Sequence, residues 1–127
     1  MPIKPDLVLV DDEERILRSL AMLFRPHYNL YTTIDARDAL QYVRDHRVHV
    51  IVSDQRMPVM RGADLLREVR ADPNLATTPF IMITAESKTE NVIAAKKAGV
   101  NNYIVKPFNA ATLKTKIEAV FPDMATA

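Results

Sequence analysis

The sequence has no cysteine among its 127 residues. That excludes disulfides, cysteine nucleophiles, thiolate zinc sites and iron–sulfur clusters, and it fits a reducing compartment. Any metal chemistry must use oxygen or imidazole donors. Long hydrophobic runs are also missing: the longest, such as Phe80 to Ile83, are four or five residues, far short of a membrane span. Met1 to Asp6 is not a charged-then-apolar leader, so a soluble, cytoplasmic protein is expected. Charge of one sign is scarce as well. Seventeen Lys plus Arg against 16 Asp plus Glu give a net charge of +1, too balanced for a general nucleic-acid or membrane-surface binder.

What is present suits a single globule. With 48% hydrophobic and 26% charged residues, a chain of this length buries roughly two thirds of its unfolded surface. One domain over residues 1–127 is expected, with its core at about 6–121 and frayed ends at 1–5 and 123–127. Short apolar runs alternate with helical spacings, the pattern of a parallel sheet with crossover helices. The strand candidates are Asp6–Val10, Tyr28–Thr32, Val48–Ser53, Phe80–Thr84 and Asn102–Val105. Between them Leu17, Leu20, Ala21 and Phe24 stand at i, i+3, i+4, i+7, as do Ala36, Ala39, Leu40 and Val43, then Gly62, Leu65, Leu66 and Val69. A fourth helix is announced by the capping-box spacing of Ser87 and Glu90 and stopped by Gly99. A fifth begins near Asn109 and carries Leu113, Ile117, Val120 and Phe121 before Pro122.

The first, third and fourth strands are nearly continuous apolar runs and should be central; Tyr28–Thr32 is more polar and suits an edge. Right-handed crossovers with helices on both faces favour a doubly wound α/β sandwich, (βα)5, with a five-stranded parallel sheet of order 2-1-3-4-5. Ligands then sit at the carboxyl ends of the strands, beside the switch between strands 1 and 3.

Those ends carry Asp11 and Asp12, Asp54, Thr84, and Lys106 followed by Pro107. Three carboxylates in one place repel and raise one another's pKa unless a positive charge joins them. An oxygen-only acidic cluster suits a hard divalent ion such as Mg2+. Three Asp and one Lys sum to −2, which one such ion neutralises. Taken singly, each residue has a plainer use. Asp12 would serve as a turn residue or helix cap, Thr84 as a buried threonine bonded to backbone, and Lys106 as a solvated surface lysine. Their joint placement at four strand ends is what points to a site.

The set Asp11-Asp12, Asp54, Met57-Pro58, Gly62, Thr84-Ala85, Tyr103 and Lys106-Pro107 resembles the receiver domain of bacterial response regulators, the CheY-like family, from about Leu7 to Phe121. The resemblance implies a flavodoxin- or CheY-like fold and a signalling domain rather than an enzyme. It implies that Asp54 accepts a phosphoryl group from a histidine kinase or phosphotransfer protein. Asp11, Asp12, Asp54 and the backbone carbonyl of Arg56 would hold Mg2+, and Lys106 would meet a phosphoryl oxygen. Thr84 and Tyr103 would act as switch residues, altering a face formed by the fourth helix, fifth strand and fifth helix for a downstream partner. Arg56 and Glu86 would flank the phosphoryl group, tune its lifetime and pair across the pocket mouth. The family also implies a cis bond at Lys106-Pro107, and Gly62 is expected to permit a tight turn before the third helix.

Other readings compete. A flavodoxin-like FMN-binding module would need hydroxyls and amides after strand 1, where Asp11-Asp12-Glu13-Glu14 stand instead. A haloacid-dehalogenase-type phosphatase wants a second acid two residues after its nucleophile, and Arg56 occupies that position. His46 and His49 straddle a loop and a strand and form no zinc pair. All ten arginines lie at or before Arg70, and six of seven lysines at or after Lys88. The first half resembles receivers of larger regulators and the second half stand-alone chemotaxis receivers, so a receiver fragment or engineered chimera is the alternative. No direct nucleic-acid or membrane partner is expected.

Overall fold

The computed structural model describes residues 4–57, 59–84, 99–106 and 108–120. Strands β1 (Asp6–Val10), β2 (Asn29–Thr33), β3 (Val50–Asp54), β4 (Phe80–Thr84) and β5 (Asn102–Val105) alternate with helices α1 (Glu14–Phe24), α2 (Ala36–Asp45) and α3 (Gly62–Ala71), and α4 (Ala110–Val120) follows β5. The expected helix between Ser87 and Gly99 lies outside the described residues, as do Pro58, Glu86, Pro107 and Phe121.

All strand pairs are parallel, and the sheet order is β2-β1-β3-β4-β5. The two-residue period of a strand divides the core between the two faces. Leu7, Leu9, Val50, Val52, Ile81, Ile83 and Ile104 pack with the α1 stripe and with Leu113 and Ile117 of α4. Val8, Val10, Ile51, Phe80 and Met82 pack with the stripes of α2 and α3. The apolar stripes expected of α1, α2 and α3 are buried; on α4 Leu113 and Ile117 are buried and Val120 is partly buried. Asn109 caps α4 as expected, its side chain accepting the Thr112 N–H at 2.7 Å.

Two strand boundaries differ from expectation, for local reasons. Tyr28 belongs to the turn that follows α1: its N–H donates to Phe24 O at 2.9 Å, and its ring meets Phe24 edge-on at 5.8 Å. The register of β2 therefore starts one residue later, with Asn29 opposite Asp6. Strand β3 starts at Val50 because the ring Nδ1 of His49 accepts the Asp6 N–H at 2.9 Å.

The amino ends of β4 and β5 are tied by Arg70, the last of the arginines. Its guanidinium donates to the carbonyls of Gly99, Ala76 and Thr78 and to the Asn101 side chain, at 2.6 to 3.2 Å. Gly99 has φ +98°, and a side chain there would also meet Arg70 Nε at 3.0 Å, so glycine suits this stop twice over.

Val59, between β3 and α3, is held at φ +70° although it is β-branched and 80% exposed. That conformation costs an L-residue ~1–2 kcal/mol, and so exposed a side chain regains little of it by packing. Val59→Gly is expected to raise stability by about 1 kcal/mol once the extra freedom of glycine in the unfolded chain is subtracted. Thermal unfolding checks this; a lower melting temperature in the variant would show that Val59 is not strained.

Candidate functional site

The site is assembled by the parallel sheet, which brings the carboxyl ends of strands far apart in sequence to one edge. Asp11 follows β1 directly, and its N–H donates to Thr33 O at 3.2 Å, continuing the pairing of β1 with β2. Asp54 ends β3 opposite Ile83 of β4. Lys106 continues β5, its N–H donating to Thr84 O at 2.7 Å. The three chemistry-bearing side chains are therefore carried on sheet backbone, which holds them more tightly than free loops would.

Asp11, Asp12 and Asp54 each offer one carboxylate oxygen within 4.8 Å of the others. Asp11 and Asp54 are only 3% and 4% exposed, and Asp12 faces solvent. Asp11 Oδ1 accepts the Glu13 N–H at 2.9 Å, an Asx turn that opens α1. Its other oxygen, Oδ2, is buried and accepts no hydrogen bond from the described residues. Lys106 Nζ stands 3.5 Å from it, 3.4 Å from Asp54 Oδ1 and 3.9 Å from Glu13 Oε1. The contact with Asp11 is thus one of charge rather than a directed bond.

Burial pushes the Asp11 carboxyl from its ordinary 3.8 up to about 6, with the nearby charges of Asp54 and Asp12 adding to the effect against the Glu13 N–H and Lys106. Asp54 is raised too, chiefly by burial, which outweighs Lys106. Burial works against the Lys106 ammonium, but the Asp11 and Asp54 carboxylates outweigh it and hold its pKa above the usual value. A buried carboxylate oxygen without a donor, two further carboxylates in reach and excess negative charge together fit a hard divalent cation held by oxygen. Asp11, Asp12 and Asp54 would be its protein ligands.

Sequence reasoning thus brought together Asp11, Asp12, Asp54 and Lys106 correctly. Thr84 is buried at the end of β4, its backbone joined to Lys106. Tyr103 lies three residues before Lys106, half-buried against the core on the α2 and α3 side. Arg56 is exposed two residues past Asp54; Glu86, its expected partner, and the Lys106-Pro107 bond lie outside or at the edge of the described residues. One expectation is corrected. Gly62 makes no turn with positive φ but is the first residue of α3; glycine is needed there for space, because a Cβ would stand 2.5 Å from the Asp54 carbonyl oxygen.

Two contributors were missed. Glu13 was legible only as part of the acidic run, yet it is a third carboxylate in reach of Lys106, after Asp11 and Asp54, and, counted with Asp12, takes the local sum from −2 to −3. Gln55 had no sequence signal. Its side-chain oxygen accepts the Ala63 N–H at 2.8 Å, and its carbonyl accepts the Gly62 N–H at 3.1 Å, which clamps the start of α3 onto the end of β3.

The chain is similar to known proteins along most of its length. The chain is 43% identical over 117 residues to the chemotaxis protein CheY-3 of Vibrio cholerae, covering 91% of this chain and 90% of that one. It is 42% identical to the chemotaxis protein CheY of Pseudomonas aeruginosa, covering 91% and 94%. A match of 117 residues necessarily crosses Arg70, so similarity to these chemotaxis proteins runs through both halves. The solved structure of the chemotaxis response regulator CheY4 of Vibrio cholerae superimposes with a TM-score of 0.87 at 32% identity, over 94% of this chain and all of that one. The response regulator receiver domain family matches residues 7–118, and with the sheet order and the acidic cluster in agreement, this chain belongs to that family.

Proposed function

We propose that the protein is a phosphoacceptor in two-component signalling in the cytoplasm, taking a phosphoryl group onto Asp54 from a phosphohistidine on a kinase or phosphotransfer protein. The observation that carries this reading is the placement of the buried Asp54 carboxylate 3.4 Å from Lys106 Nζ, inside a cluster that fits a divalent cation. An Asp54 oxygen attacks phosphorus; the new O–P bond forms as the N–P bond breaks, and the departing imidazole takes a proton from solvent. Asp11, Asp12 and Asp54, with the Arg56 carbonyl, would hold Mg2+, which when bound supplies charge neutralisation at the phosphoryl oxygens. Lys106 supplies a second positive charge as a mobile point donor.

Once the phosphoryl group is in place, Thr84 is drawn toward it and Tyr103 turns inward, shifting an existing equilibrium of the face that includes β5 and α4. A target protein then recognises that face, and Arg56 with Glu86 sets how long the signal lasts. The domain supports its own phosphorylation and dephosphorylation and acts on no released substrate. Incubation with acetyl phosphate and Mg2+, followed by intact-mass measurement, tests this. Wild type is expected to gain one phosphoryl group and Asp54→Asn none, and chelating the cation should prevent the gain. No gain on wild type, or an equal gain on the variant, would overturn it.

A further inference from the structure

We propose that Glu13 is a positioning residue for phosphoryl uptake: it shares the Lys106 ammonium with Asp11 and Asp54 in the resting protein and so withholds the cation that incoming phosphoryl oxygens need. This rests on the phosphoacceptor role of Asp54. Glu13 and Lys106 are 93 positions apart, on segments that follow β1 and β5 with two strands between them. Their 3.9 Å approach therefore spans the mouth of the pocket.

The Glu13 side chain is free for this use. Glu13 is the N-cap of α1, but its side chain makes no capping hydrogen bond. Its backbone does the structural work, the carbonyl accepting the N–H groups of Ile16 and Leu17 and the N–H donating to Asp11. The carboxylate is 61% exposed, whereas those of Asp11 and Asp54 are buried. Lys106 thus faces two inner carboxylates and one outer one. A phosphoryl group entering the pocket arrives with negative charge and must take Lys106 from this outer partner. An exposed ion pair of this kind is weak, so the restraint corresponds to about a two- to fivefold effect and is screened by salt.

The test compares wild type, Glu13→Gln and Glu13→Asp in the rate of phosphoryl uptake from acetyl phosphate with Mg2+, at low and at high ionic strength. Glu13→Gln removes the charge but keeps the backbone turn; Glu13→Asp keeps the charge but shortens the arm so that it falls short of Lys106. Both variants are expected to take up phosphate about two- to fivefold faster at low salt, with the advantage shrinking at high salt. Affinity for beryllofluoride with Mg2+, a phosphoryl mimic, should rise by the same factor, while affinity for Mg2+ alone stays unchanged. Uptake at wild-type rate in both variants, or in Glu13→Asp alone, would overturn the inference while leaving the role of Asp54 intact. A gain explained wholly by altered Mg2+ affinity would overturn it as well. No uptake by any of the three would overturn both.

Discussion

Replacing Gly62 with alanine is expected to cost the fold roughly 2–3 kcal/mol, against the ordinary preference of a helix for alanine. At an unencumbered helical position the change would be worth about 1 kcal/mol in favour of alanine. Here the added Cβ would lie 2.5 Å from the backbone oxygen of Asp54, 2.8 Å from Met82 Sδ and 3.1 Å from Gln55 Cα. Methionine can move its sulfur, but the other two contacts are backbone. One is the last residue of a central strand, and the next is clamped by its bonds to Gly62 and Ala63. Relief therefore requires α3 to back away from β3, which loosens the fully buried Leu65, Leu66 and Val69. For a domain of this size the loss corresponds to a fall in melting temperature of roughly 10 °C. Because Gln55, the residue after Asp54, is bonded to the start of α3, the same movement pulls on the end of β3, and phosphoryl uptake should slow in parallel. An alanine variant as stable as wild type would show that α3 does not press on the end of β3.

The second large effect is on stability against pH in the absence of divalent cations. The Asp11 carboxyl is raised from 3.8 to about 6 by burial and by its acidic neighbours, and Asp54 is raised as well. The folded state therefore holds these protons more tightly than the unfolded chain. Their contribution is fully present below about pH 4 and is lost as pH rises through about 6. A shift of that size in one group corresponds to roughly 2–3 kcal/mol. Lys106, raised above its usual value, keeps its charge throughout this window and contributes no slope. Metal-free wild type should lose stability between pH 4 and 7 relative to Asp11→Asn, by roughly 2 kcal/mol. Adding Mg2+ at pH 7 should restore wild type, since a ligand bound only by the folded state stabilises it, and should do much less for the variant. Urea unfolding with and without chelator measures both; parallel pH curves for the two proteins would refute the arrangement.

Both effects come from features whose legibility differed. The α1, α2 and α3 stripes were readable because helical periodicity is local, and every residue named in them is buried. Strands β1, β4 and β5 begin and end at the residues expected for them. The limits of β2 and β3 differ where the Tyr28 backbone turns back on Phe24 and where the His49 ring accepts the Asp6 N–H. No propensity anticipates a contact with a partner 43 residues away.

The chain alone thus determined the alternation of strands and helices, the sheet order and the convergence of Asp11, Asp12, Asp54 and Lys106, because a parallel sheet with right-handed crossovers leaves little other choice. The tertiary structure decided what those residues feel. Burial leaves one Asp11 oxygen without a donor and raises its pKa, close packing makes Gly62 a matter of space, and a contact across the sheet edge brings Glu13 to Lys106. Desolvation, steric fit and long-range ion pairing depend on distances between segments that no local pattern encodes.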